Sequence, residues 1–177
     1  MVVFFSRFVG ALMLDPSVYE DVEADRRAGM QSVLVVLAVT LAGGVAGLGL
    51  GVVGMAGFVI GAILALGGWL VWVSLITTLG TTALAEPQTR SNAHELLRTL
   101  AYAAAPGVLL AFAAIRPAAP LVFVLVSIWM IAAAVVAVRQ ALDYRSTVRA
   151  AAVCTLAWLL AVAAMVAFAM LSTRRVA

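Results

Sequence analysis

From Ala28 to Ala85 the chain reads AGMQSVLVVLAVTLAGGVAGLGLGVVGMAGFVIGAILALGGWLVWVSLITTLGTTALA, 58 residues without one charged side chain. As one helix it would rise about 87 Å, close to three times the ~30 Å hydrocarbon core of a bilayer. The run is therefore two helices joined by a bend. Eight of the 14 glycines fall between Gly43 and Gly61, which places the bend near Gly49–Met55 and the two spans near 30–50 and 57–82. Composition agrees. The chain is 66% hydrophobic and 11% charged, with a mean hydropathy of +1.17, whereas water-soluble domains carry about 25% charged residues.

Outward from this hairpin, Glu86-Pro87 ends the second span, and residues 86–95 form a short polar loop. Three further apolar runs follow, near 96–115, 118–138 and 148–171. The third is short: 17 residues separate Arg98 from Arg116, which leaves open whether it crosses fully or re-enters. Residues 1–14, MVVFFSRFVGALML, are too few to cross and fit an interfacial helix with a narrow polar strip of Ser6, Arg7 and Gly10. They lack the basic start and cleavage site of a secretory signal, so the segment is expected to be retained. Asp15-Pro16 reads as an N-cap with proline at the first helical position. The acidic helix after it is expected to be a solvated anchor or a docking face for a partner. The fold class is thus all-α and polytopic, with an N-terminal interfacial amphipathic segment over 1–27 and a five-helix transmembrane domain over 28–177.

Gly43, Gly47 and Gly51 repeat every fourth residue, and Gly57 and Gly61 continue the spacing after the bend. Small residues so placed let helices approach closely in lipid, so these five are expected at a packing seam, within the hairpin or between two copies. Ser74, Thr77, Thr78, Thr81 and Thr82 form a hydroxyl patch whose simplest role is bonding back to their own helix. Trp69 and Trp72 lie too deep for an interfacial belt and are expected to pack.

All 11 basic residues are arginine, and they cluster at the ends of apolar runs, as orientation by positive charge requires. The pI near 9.8 therefore does not indicate nucleic acid. With five spans and the N-terminus inside, 8 arginines lie inside and 3 outside (Arg116, Arg174 and Arg175). The same totals follow from four spans. Five is preferred because it keeps the densest loop, with Arg139, Arg145 and Arg149, on the cytoplasmic side.

Leu96-Leu97-Arg98, Tyr102-Ala103 and Pro106 in the third run, Trp129 in the fourth, and Arg139-Gln140-Ala141-Leu142, Ser146-Thr147 and Arg149-Ala150 after it together resemble the Yip family. These are small polytopic membrane proteins named for interaction with Ypt/Rab GTPases. The resemblance covers most of residues 10–172 and is to the prokaryotic branch. It implies five membrane helices with a cytoplasmic N-terminus, an outer C-terminus and residence in a prokaryotic cytoplasmic membrane. Eukaryotic members act in vesicle traffic and membrane shaping, and carry a DLYGP-type motif in a longer N-terminal region. No such motif occurs here, which argues against a Rab-type GTPase partner. The resemblance implies no established activity for prokaryotic members.

Chemistry-bearing constellations are few. His94-Glu95-Leu96-Leu97 begins a zinc-protease pattern, but Arg98 stands where a second histidine would be needed. With one histidine and one cysteine, Cys154, no conventional metal site, cofactor site or catalytic set is expected. His94, Arg98, Tyr102 and Pro106 share a helix face at a spacing of four. Glu95 is placed to pair with Arg98, and Pro106 should kink the span. The expectation is a non-enzymatic membrane protein binding lipids, protein partners or a second copy and organising the membrane. A small transporter or channel subunit is the alternative.

Overall fold

The computed structural model describes residues 2–89 and 91–174, except the side chains of Met165 and residues 168–174; Arg90 and Arg175 lie outside the described residues. The described residues form an all-α bundle. Helix α1 (Val2–Leu12) and helix α2 (Pro16–Ala24) precede the spans α3 (Ala28–Leu50) and α4 (Met55–Thr78), the latter extended by a π turn over Leu79–Ala83. The third span is composite: α5 (Ala93–Ala103) continues as a 3-10 helix over Ala105–Ala114. A short 3-10 turn (Arg116–Ala118) leads into α6 (Ala119–Ala141), and α7 (Thr147–Arg174) closes the bundle. Five of these segments are long and apolar enough to cross a membrane.

The composite third span is the axis of the bundle. Every residue from Thr99 to Gly107 is buried, although four of the nine are alanine and one is glycine. Small side chains there let neighbouring helices close in. A Cβ on Gly107 would lie 2.6 Å from Val39, and one on Gly49 would lie 2.5 Å from Ala114. Helix α5 stops where Pro106, with no N–H, cannot continue the α pattern. The backbone tightens instead, and the Gly107 N–H donates to the Ala104 carbonyl at 2.8 Å. A 3-10 helix rises about 2.0 Å per residue against about 1.5 Å. The 22-residue span therefore covers roughly 36 Å, enough to cross hydrocarbon in spite of its short apolar run.

This span runs the same way as α3. The Ser32 hydroxyl donates to the Arg98 carbonyl (3.3 Å) at one end, and Arg116 Nη2 donates to the Leu50 carbonyl (3.3 Å) at the other. It crosses fully and is not re-entrant. The end of the bundle that holds α2, loop 84–92 and loop 142–146 is called the near end below. Large buried side chains concentrate there, including Tyr19, Ile76, Leu96, Leu142 and Val153. Toward the far end the second buried cluster is only Ala46, Ala113 and Ala119.

Three helices end in the same left-handed device. At Leu14 (φ 59°), Gly51 (φ 73°) and Asp143 (φ 54°) the chain turns back on the last carbonyls of α1, α3 and α6. Gly51 is thus needed by the turn and not by a packing seam. Two further glycines expected at close contact, Gly43 and Gly61, have no atom within 4 Å of an added Cβ. Gly47 and Gly57 do approach a neighbour, Val53 in the bend, and the other close approaches are Gly44 against Phe58, and Gly49 and Gly107 around the third span. The tightest seam therefore joins the first and third spans, because those two run parallel and meet through alanine and glycine. All five hydroxyls of the Ser/Thr patch donate to carbonyls four residues back, from Ser74 to Leu70 through to Thr82 to Thr78. Trp72 Nε1 donates to the Cys154 carbonyl at 3.4 Å, which ties α4 to α7.

The N-terminal helices depart most from expectation. Outward-facing Val2, Phe5, Val9 and Met13 give α1 the lipid-facing stripe of an interfacial helix. Arg7, however, points inward and is buried. Its Nε donates to Asp21 (2.7 Å), Nη2 to Asp25 (2.9 Å) and Nη1 to Gln31 (3.1 Å). Helix α2 is capped by Asp15 as its sequence dictates, but it is not a solvated anchor. Tyr19 and Val22 are fully buried, and Glu20 accepts from Gln140 Nε2 at 2.6 Å. Folding α2 back covers apolar surface and places the Asp21 and Asp25 carboxylates around Arg7, so the expected polar strip of α1 becomes an internal ion pair. Replacing Arg7 by alanine should destabilise the protein by about 2 kcal/mol, the scale of losing hydrogen bonds to a charged group. Arg7→Lys should recover only part, since an ammonium lacks the guanidinium fork. Thermal unfolding in detergent checks this, and an unchanged midpoint for Arg7→Ala would show that the pair does not hold the hairpin.

Candidate functional site

At the near end, Asn92 starts α5. Its side chain accepts from the His94 and Glu95 N–H groups (3.0 and 3.1 Å), and the Glu95 carboxylate accepts from the Asn92 N–H (3.0 Å). This is a capping box. Glu95 therefore does not pair with Arg98 as its spacing had indicated, because the nearer helix-end donor competes successfully for it. Arg98 turns to α2, where Nε donates to the Val22 carbonyl (3.2 Å) and Nη2 to the Glu23 carbonyl (2.5 Å). These are carbonyls of a helix C-terminus, which have no partner within their own helix. One turn deeper, the Tyr102 hydroxyl donates to Gln31 Oε1 at 2.8 Å, the same oxygen that receives Arg7.

The expected face of His94, Arg98, Tyr102 and Pro106 is thus divided. Arg98 and Tyr102 hold α1, α2 and α3 together, Pro106 sets the change of helix type, and His94 alone remains exposed. They do not line a common polar pocket. Arg7, Asp21, Asp25 and Gln31 complete the network and were not read from sequence as partners. The available signals were a lone arginine in an apolar helix and two aspartates one helical turn apart.

The basic loop is partly committed as well. Glu86 accepts from the backbone N–H of Arg145 (3.2 Å) and lies 3.6 Å from Arg149 Nε, while Arg139 Nε reaches the Tyr144 carbonyl (3.4 Å). The Arg145 N–H, aided by Gln88 and Arg149, holds the Glu86 carboxyl below its ordinary range. The Tyr144 hydroxyl donates to the Gly80 carbonyl in the π turn at 2.8 Å. Of the three arginines, Arg145 keeps its side chain exposed and outside any hydrogen bond or ion pair among the described residues.

What the near end leaves open is a cleft of about 890 Å³ between α3, α4 and α5. Arg26, Asn92, His94, Glu95 and Arg98 form its rim, and Val33, Leu37, Leu66, Trp69 and Leu70 form its deeper wall. Val33, Leu37 and Leu70 are also exposed on the bundle surface, so the cleft opens sideways, toward the position of lipid. It meets a second cleft of about 380 Å³ at Val36, Leu66 and Trp69. That second cleft continues between α3 and α4 and is lined by Gly43, Gly47, Gly57 and Gly61. Four of the five glycines expected at a closed seam instead border an open groove.

The fold and this lateral cleft define an integral, polytopic membrane protein built around a composite third span. A family model described as the Yip1 domain matches residues 10–168, and the chain belongs to the Yip family. No curated protein and no solved structure matches it.

Glu23, half-buried at the end of α2, is the titratable group most affected by this packing. Burial, and then Glu95, Asp143 and Glu20, push its carboxyl up to about 7 against the opposing pull of Arg98. Between its unfolded value and pH 7 the folded state binds the extra proton, so stability falls as pH rises through that window. Glu23→Gln should therefore stabilise the protein at pH 8 by about 1 kcal/mol, a figure discounted for solvent screening, and flatten the decline between pH 5 and 8. Thermal midpoints across that range give the comparison, and a slope unchanged by Glu23→Gln would remove Glu23 as its source. Arg98→Ala should expose the α2–α3 junction to limited proteolysis without abolishing membrane insertion, because the spans themselves retain their apolar surfaces.

Proposed function

We propose that this protein is a non-enzymatic member of its family that binds lipid at its near end and thereby organises the membrane around it. The near end faces the cytoplasm in this reading, with the C-terminus outside, in accord with the arginines gathered there. The carrying observation is the roughly 890 Å³ lateral cleft, polar at its rim and apolar in its depth. That volume lies within the range of ligand sites, and its polarity follows that of a lipid from headgroup to chain. A transport reading draws no support from the second span, where each hydroxyl of the patch is satisfied by its own helix.

Gly29 lines the cleft, and an added Cβ there meets nothing within 4 Å. Gly29→Leu should therefore fill the cleft while leaving the bundle intact. Wild-type protein purified in mild detergent should carry bound lipid detectable by native mass spectrometry, and Gly29→Leu should carry several-fold less. Lipid-free wild type, or equal retention by the filled variant with an unchanged melting midpoint, would refute lipid binding at this place.

A further inference from the structure

We propose that the cleft selects a phosphate-bearing anionic lipid, with its headgroup at Arg26 and His94 and one acyl chain laid along the glycine groove between α3 and α4. This inference rests on the lipid-binding reading above and adds headgroup charge and chain path.

Arg26 and Arg98 bring two cations and Glu95 one anion, but the Glu95 carboxylate is held by the Asn92 N–H at the start of α5. Arg98 uses Nε and Nη2 on α2 and leaves Nη1 outside both bonds. Arg26 enters no ion pair among the described residues and is exposed, as is His94. Two helices also begin at this rim. Helix α3 starts at Ala28 behind Arg27, which provides no side-chain cap, and α5 starts at Ala93. The N-terminal partial charge of α3 is positive and favours an anion, whereas that of α5 is met by the Asn92 side chain and the Glu95 carboxylate. A zwitterionic headgroup would bring a second cation to a rim that already has a surplus. An anionic phosphate would bring only the charge the rim lacks.

The chain argument is geometric. A ligand held at Arg26 can descend past Val36 and Leu66 by following the space between α3 and α4. There Gly43 and Gly61 carry no side chain and face open space. The absent side chains give the groove its width. It extends from the near-end rim toward the α3–α4 bend, so its depth sets the length of chain that fits.

The test uses the full protein in detergent with defined lipids added, read by native mass spectrometry. Phosphatidylglycerol should bind about tenfold more tightly than phosphatidylethanolamine of the same chain length. The double variant Arg26→Ala, His94→Ala should lose that preference. Arg145→Ala, which removes an exposed near-end cation outside the cleft, should keep it. Gly43→Leu and Gly61→Leu should leave headgroup preference intact and shift binding toward shorter chains. Glycerol phosphate, lacking a chain, should not compete at equal concentration. Equal binding of the two lipids by wild type would overturn the anionic assignment while leaving lipid binding standing. Unchanged chain-length preference in both glycine variants would overturn the chain path. Competition by glycerol phosphate would reduce the site to a phosphate site, and failure of every lipid to bind would overturn both this inference and the reading beneath it.

Discussion

Within hydrocarbon a span must satisfy its own backbone and still find something to pack against, and the third span meets both demands with almost no side-chain bulk. Nine consecutive buried residues, five of them alanine or glycine, let α3 and α6 reach its backbone. Association there depends on close contact, because lipid competes equally for apolar surface. Pro106 would interrupt a uniform α-helix, yet the change to 3-10 geometry both accommodates the proline and lengthens the span. The same residue that breaks one regular structure enables the crossing. Parallel alignment of α3 with the third span follows, and α4 is left with fewer anchors, chiefly Val73 and Ile76 near its end.

That distribution of contacts explains why the open space lies where it does. Helix α4 is held at its last turns by Trp72, by Gly80 against Leu142, and by Tyr144. Its first half meets α3 through Phe58 on Gly44 and borders the groove lined by Gly43, Gly47, Gly57 and Gly61. The near-end polar network is denser, with Arg7 and Arg98 each joining elements distant in sequence. Rigidity and opening are thus placed side by side: a pinned corner formed by α1, α2 and α5, and beside it a helix that borders a cleft.

The spans were legible in the sequence because charge-free length is a strong constraint, and Asp15-Pro16 declared its helix start in two residues. Asn92 and Glu95 were equally local, but Glu95 had two eligible partners, one three residues before it and one three after, and spacing alone does not rank them. The glycine row misled for a related reason. A repeat of four shows that residues share a face, and the neighbour decides whether the face meets a helix or a void. Within the row Gly47 and Gly57 meet Val53 while Gly43 and Gly61 meet nothing, and the contacts to the third span go to Gly49 and Gly107 because Ala114 and Val39 oppose them. Arg7 was visible as an anomaly, but its partners became evident only once α2 folded back. Span parity, which arginine counts left level, was decided by Ser32 at one end of the third span and Arg116 at the other.

Trp129 lies near the middle of α6, and its indole N–H donates to the Leu12 carbonyl at 2.8 Å. The last turn of α1 is therefore tethered to the middle of α6, with its apolar stripe turned outward. Seven helices share the near half of the molecule, and five continue through the far half. The two extra helices enlarge the near half alone. The hydrogen bond between an indole and the end of a short helix thus fixes where along α6 that enlargement ends.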